Sequence, residues 1–150
     1  MKKTVALDIG DAWTGIAISD ILGMVARPYN TVASHKLSSS LADIFKQEQI
    51  GTVIVGYPKT MKGHESAQTL KVVAHKEALE KEFPHVTWLL QDERLSSKRA
   101  SNLRIEQGKK TRTPEEKLKG HALAAAFILD AYLEGQAALR TFEQNDDDQQ

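Results

Sequence analysis

Three places in this sequence carry side chains whose types and spacing could support hydrolytic chemistry. The first is Asp8, the one acid in an otherwise apolar run from residue 4 to residue 10. A run of this kind is typical of a central strand buried on both faces, where a bare carboxylate is costly unless a cation pairs with it. We interpret Asp8 as a candidate metal ligand near the end of that strand. The alternative is that Asp8 only caps the turn at Gly10.

The second place is the pair Asp92 and Glu93, directly after the apolar residues 86–90. In an α/β sheet, sites collect at the carboxyl ends of strands, so this pair is expected to lie near Asp8. Adjacent side chains of a strand face opposite ways, and therefore only one of the two should point into a shared site. A solvated charged turn is the alternative interpretation.

The third place is His121, at the start of an alanine-rich stretch. Helical spacing puts it on one face with Ala125, Ile128 and Tyr132. Taken alone, such a histidine is more typical of a packed core residue than of a ligand.

Charge is distributed unevenly, although the 20 basic and 20 acidic residues of the chain cancel. Residues 94–119 contain nine basic and three acidic side chains, a net charge of +6. This pattern indicates a phosphate-binding surface. Its candidate contacts are Arg94, Lys98, Arg99, Lys109, Lys110 and Arg112. The last eight residues hold four acids and no base, and residues 143–150 are predicted to be a disordered tail.

Length and composition predict a single domain over residues 1–142 of the 150-residue chain. The absence of cysteine excludes disulfides, thiolate zinc sites and cysteine nucleophiles. No uncharged apolar run approaches the roughly 20 residues of a membrane helix, and no signal peptide is evident. We therefore expect a cytoplasmic protein that does not bind a membrane.

Periodicity predicts the element order of three strands, helix, strand, helix, strand and further helices. The predicted helices cover residues 38–50, 67–81, 96–107 and 114 onwards, and the last has a threonine cap, proline and glutamate at its start. An apolar stripe of Leu70, Val73, Ala74 and Leu79 is expected on the second. An antiparallel meander followed by parallel strands gives a mixed five-stranded sheet with helices on both faces.

The order of motifs resembles the YqgF/RuvX family over about residues 3–134. The residues that carry the resemblance are 7–10 and 15–20, Val55-Gly56-Tyr57-Pro58, Asp92-Glu93-Arg94-Leu95-Ser96-Ser97, and the alanine-rich stretch 121–133. The resemblance implies an RNase H-like fold shared with RuvC-type resolvases. It also implies a nuclease in which Asp8, Asp92 and Glu93 hold Mg²⁺ or Mn²⁺, acting on structured RNA at the 5′ end of the pre-16S rRNA in ribosome biogenesis, as a monomer or weak homodimer.

Two positions depart from the family pattern. His121 stands where the family usually has an aspartate. It would then be the fourth catalytic and metal-site residue, either as a metal ligand or as a general base. As a ligand, its imidazole suits Mn²⁺ better than Mg²⁺. Trp13 stands where a basic residue is usual, although an indole could stack on a base. Alternatives are a Holliday junction resolvase acting on branched DNA and a catalytically weak nucleic-acid-binding or ribosome assembly factor. A kinase relative would need two such domains, for which the chain is too short.

Overall fold

The computed structural model describes residues 1–57, 66–92 and 113–148. Within them the chain forms five strands, three α-helices and a 3₁₀ turn at Ser34–Lys36, in the predicted order. The predicted helix over residues 96–107 lies outside the described residues. The elements are β1 (Lys3–Ile9), β2 (Trp13–Ser19), β3 (Ala26–Ala33), α1 (Leu37–Gln47), β4 (Ile50–Tyr57), α2 (Ala67–Glu82), β5 (Thr87–Asp92) and α3 (Pro114–Asp148).

The strands form one mixed sheet in the order β3-β2-β1-β4-β5. β1 pairs antiparallel with β2 and parallel with β4, β2 pairs antiparallel with β3, and β4 pairs parallel with β5. The apolar run around Asp8 is therefore the central strand, as predicted. β3 is an edge strand, which accommodates Pro28 because proline cannot donate a ladder hydrogen bond.

Helices cover both faces of the sheet, and each face has its own core. On one face, Val5, Leu7 and Val53 belong to a cluster that also contains Leu41 of α1 and Val72 of α2. On the other face, Ala6, Ala17 and Ile54 pack with α3 residues from Ala125 to Leu133. The small side chains of this second face let α3 lie close to the strands. The predicted α/β fold with helices on both faces is confirmed.

The predicted packing face of α2 is confirmed at Leu79 and was wrong at Leu70. Leu70 is 60% exposed, and the buried residues of the helix are Thr69, Val72 and Leu79. Thr69 can be buried because it belongs to a capping box with Ser66, whose side chain accepts from the Thr69 N–H at 3.2 Å. Once the cap satisfies these polar groups, burial of the threonine carries little penalty.

The predicted start of α3 is confirmed. The Glu116 N–H donates to Thr113 Oγ1 at 3.2 Å, and the Thr113 N–H donates to the Glu116 carboxylate at 3.3 Å, which is a capping box. By length and composition α3 could cross a membrane, but its buried residues from Ala125 to Leu133 pack on the sheet as in a core helix.

The C-terminal end of α3 extends past residue 142, where the domain was predicted to end. The helix continues to Asp148 and all its residues from 137 onwards are exposed, including Leu139 and Phe142. Residues 136–148 contain neither glycine nor proline, so nothing in the local sequence breaks the helix. This exposed extension packs on no part of the described core.

Candidate active site

Asp8 lies near the carboxyl end of β1, and the strand register determines its surroundings. Val5, Leu7 and Ile9 face the cluster beneath α1 and α2, so alternation puts Asp8 with Ala6 on the face covered by α3. Across the sheet, Asp8 pairs with Gly15 of β2, and Gly15 pairs with Thr31 of β3. The three residues form one row beneath the first turns of α3.

Gly15 allows α3 to approach this row. A Cβ built on Gly15 would lie 1.9 Å from the His121 carbonyl oxygen and 2.8 Å from the Ala122 nitrogen. No real side chain fits there, so the helix backbone rests on the strand at the residue paired with Asp8. The closeness of His121 to Asp8 therefore depends on this glycine. In sequence, a glycine inside a strand pattern is a signal of such a close backbone approach.

Thr31 fixes the start of α3 from the other side. Its Oγ1 donates to the Leu118 carbonyl oxygen at 2.5 Å. This contact joins the edge strand to the turn of helix that precedes His121. Thr31 was not predicted as a site residue, because a threonine in an edge strand has no local feature that distinguishes it.

The turn after β1 is closed by backbone and serine hydrogen bonds. The Gly10 N–H donates to the Trp13 carbonyl at 3.0 Å, and Ser34 Oγ donates to the Gly10 carbonyl at 2.6 Å. These bonds supply the closure that Asp8 was alternatively expected to give as a cap. The Asp8 carboxylate is thus not needed to close the turn.

The surroundings of Asp8 compensate the negative charge of its carboxylate only in part. Burial raises the pKa of the Asp8 carboxyl, and the nearby charge of His121 lowers it by less, so that the pKa ends above its ordinary value. Both side chains are half-buried. A carboxylate that is desolvated in this way at a sheet edge binds a cation favourably. The cation stabilises the negative charge in place of the water that burial has removed.

The other predicted site residues divide into two groups. Asp92 ends β5 and pairs with Tyr57, at the edge where the parallel strands β1, β4 and β5 terminate. Strand alternation puts it on the face of Trp88, opposite to the face of Asp8. The remaining predicted residues lie outside the described part of the chain: Glu93, Arg94, Lys98, Arg99, Lys109, Lys110 and Arg112.

Two donors converge in the described part of the chain, the Asp8 carboxylate and the His121 imidazole. Over residues 1–57, 66–92 and 113–148 no group of three or more metal-ligating side chains is present. A carboxylate and an imidazole are nevertheless donors that a divalent cation with mixed oxygen and nitrogen ligands accepts, so the chemistry of the pair fits such a cation.

Comparison with known proteins identifies the family. A sequence model of the family described as "RuvX: Holliday junction resolvase" matches residues 2–135. The chain belongs to the RuvX family.

Curated RuvX relatives match over nearly their whole length. A protein of Fusobacterium nucleatum named as a candidate pre-16S rRNA nuclease is 38% identical over 136 residues, which cover 89% of this chain and 98% of the relative. One from Rubrobacter xylanophilus with the same name is 36% identical, covering 88% of this chain and 92% of the relative. These matches make the chain a member of a nuclease family.

The fold has a counterpart among solved structures. RuvC of Thermus thermophilus in complex with a Holliday junction substrate superposes with a TM-score of 0.55 at 14% identity, covering 91% of this chain and 96% of that one. A second RuvC structure from Thermus thermophilus gives a TM-score of 0.54. At this identity the likeness shows the shared RNase H-like fold.

Proposed function

We propose that this protein is a divalent-metal-dependent nuclease that hydrolyses a phosphodiester bond in structured RNA, processing the 5′ end of the pre-16S rRNA. The observation that carries the proposal is the half-buried Asp8 carboxylate beside His121, at the carboxyl edge of the sheet in a RuvX chain. The names of the curated relatives support RNA as the substrate.

Asp8, His121 and one acid of the pair after β5 would hold Mg²⁺ or Mn²⁺. Such ions, when bound, activate a water for attack and stabilise the charge that develops on the leaving oxygen. Because Asp92 lies on the Trp88 face of β5, we infer that Glu93 is the member of the pair that completes the site.

The chain itself orients these groups and attracts the substrate. Gly15 and Thr31 hold the first turns of α3 over β2 and β3, which keeps His121 beside Asp8. At the N-terminal end of α3 the exposed Lys117 and Lys119 balance the charge of Glu115 and Glu116 in the first turn, so the partial positive charge of the helix end remains. This partial charge favours the approach of a polyanion to an otherwise acidic site.

Cleavage assays test the proposal directly. An RNA spanning the 5′ end of the 16S precursor should be cut with Mn²⁺ or Mg²⁺ and left intact in chelator. Asp8→Asn and Glu93→Gln should lower the rate by at least about 100-fold, by analogy with the loss of other essential catalytic groups. Asp92→Asn should cost far less, and Asp43→Asn, an exposed change on α1, should have no effect. Full activity of Asp8→Asn would overturn the nuclease assignment.

A Holliday junction resolvase is the second candidate. The family description and the RuvC complex with its junction substrate favour it. The same assay should therefore include a four-way DNA junction, and cleavage of the junction without cleavage of the RNA would assign the protein to this activity. Tight binding of either substrate without cleavage would favour an assembly factor, in agreement with the unusual His121.

A further inference from the structure

Trp13 presents a large aromatic surface at the edge of the sheet where Asp8 lies. Trp13 is 41% exposed, whereas Trp88 is 5% exposed. The Trp88 Nε1–H donates to the Phe83 carbonyl at 2.9 Å. Trp88 therefore serves the core in the ordinary way. Trp13, in contrast, belongs to neither of the two core clusters.

The position of Trp13 relative to Asp8 follows from the strand register. Trp13 begins β2, and alternation puts it on the same face as Gly15 and Ala17, which is the face of Asp8 and α3. It lies two residues from Gly15, the partner of Asp8, and thus about 7 Å further along the strand. The indole therefore stands beside the candidate active site, towards the open edge.

The backbone of Trp13 is held on both sides, so the indole has a fixed base. Its carbonyl accepts from the Gly10 N–H at 3.0 Å, and its strand position pairs with Ala33 of β3. A rigid aromatic in this setting binds a flat apolar partner at small cost in conformational entropy, because few torsions remain to be ordered.

We propose that the Trp13 indole stacks on an unpaired nucleobase next to the phosphate that is bound at Asp8. This inference rests on the proposed function and adds a substrate requirement, namely a nucleotide that is unstacked beside the scissile bond. In a continuous duplex both faces of every internal base are covered by neighbours, so the indole has no base surface to contact away from the ends. Stacking would tolerate any base, since each has a π-face.

Tryptophan fluorescence gives a direct test, because the chain has two tryptophans and Trp88→Phe leaves Trp13 as the sole indole. The variant is titrated in chelator, so that no strand is cut, with an unpaired RNA strand, the same RNA in a blunt duplex, and the DNA versions of both. Fluorescence anisotropy of a label on the nucleic acid reports total binding in parallel. We expect quenching by unpaired RNA or DNA and much less by either duplex at equal saturation.

Substitutions at Trp13 give the second measurement. In an otherwise wild-type chain, Trp13→Ala should weaken binding of the unpaired strand by about 5- to 150-fold, the range of one base–aromatic stack. Trp13→Phe should retain most of the affinity, and neither change should alter duplex binding. If Trp88→Phe does not fold, the difference in quenching between wild type and Trp13→Ala reports the same contact.

The two proposals fail in different ways. Two results would overturn the stacking proposal and leave the nuclease proposal intact. One is an unpaired strand that binds, as measured by anisotropy, without quenching the indole fluorescence. The other is an equal loss of affinity for duplex and single strand in Trp13→Ala. The absence of binding by any RNA or DNA, both in chelator and with Mn²⁺ present, would overturn both.

Discussion

Asp8 is a single residue whose environment disfavours its own charge. Because burial raises its pKa above the ordinary value of 3.8, the folded state holds the proton more tightly than the unfolded state. Stability of the metal-free protein should therefore fall as the pH rises from about the ordinary carboxyl range through the raised pKa. Asp8→Asn removes this penalty, so we expect a higher Tm in chelator at neutral pH and a smaller gain in mild acid.

Thermal melts with and without acid check this expectation. Asp43→Asn is the matched control, since it removes the same charge from an exposed site on α1 and should leave the Tm nearly unchanged. If Asp8 were only a turn cap, Asp8→Asn would instead lower stability at neutral pH by up to about 1 kcal/mol and spare cleavage.

His121 determines which metal the site prefers, if it is a ligand. An imidazole in place of a carboxylate should favour Mn²⁺ over Mg²⁺, because it is the softer donor. We expect His121→Asp to reduce the ratio of Mn²⁺ to Mg²⁺ affinity several-fold, as measured by calorimetric titration of both ions. His75→Asp, an exposed change on α2, is the control. An unchanged ratio would show that His121 is not a ligand and would leave it the role of general base.

At the scale of elements, the site depends on how closely α3 approaches β2. Gly15→Ala puts a methyl group where the His121 carbonyl oxygen now lies, so the first turns of α3 must move outward. Overpacking of this kind costs about 1–3 kcal/mol. We expect a lower Tm and a loss of cleavage, since displacement of the helix separates His121 from Asp8. Denaturant unfolding and the RNA cleavage assay measure the two effects.

Gly135→Ala is the control on the same helix. A Cβ at Gly135 meets no atom within 4 Å, and alanine favours a helix interior by about 1 kcal/mol over glycine. This variant should be at least as stable as wild type and fully active. If Gly15→Ala were as stable and as active as Gly135→Ala, the close approach of α3 at Gly15 would not be what positions the site.

The elements were predictable from sequence to the extent that their signals are local. The apolar run around Asp8 identified the central strand, and the pattern from Thr113 to Glu116 identified the start of α3. The contacts across the sheet were not predictable in this way. Thr31 meets Leu118, 87 residues later, and Gly15 meets His121, and no local pattern in one segment specifies the other. Leu70 shows that a local signal can also mislead. Its hydrophobicity predicted burial, but the neighbouring Thr69 is buried instead, because the capping box satisfies its polar groups.

At the scale of the whole molecule, binding of a nucleic acid should depend on the basic segment from residue 94 to residue 119. If its side chains contact phosphates, the logarithm of the affinity should fall linearly with the logarithm of the salt concentration. Replacing Lys109, Lys110 and Arg112 by glutamine should reduce the slope by about 2 to 3, since each phosphate contact contributes about 0.7 to 0.9. Anisotropy titrations over a range of salt measure this slope.

A control triple tests whether the effect is local or merely reflects total charge. Lys36, Lys46 and Lys81 are exposed on the elements beside or on the sheet face that α3 does not cover. Their replacement by glutamine should leave the slope almost unchanged. Equal effects of the two triples would indicate that the charge of the whole protein, and not the basic segment, attracts the substrate.

The contact of His121 with the strand of Gly15 joins the last helix of the chain to its first hairpin, and this has a consequence for protein synthesis. The ribosome releases Asp8 early, but the helix that covers Ala6, Ala17 and Ile54 emerges last. Contacts between such distant segments form only after the whole chain is available. A nascent or prematurely terminated chain therefore has Asp8 without His121 beside it and exposes a bare sheet face. On the proposed function, cleavage cannot begin before translation of the chain is complete, and incomplete copies offer proteases an open surface.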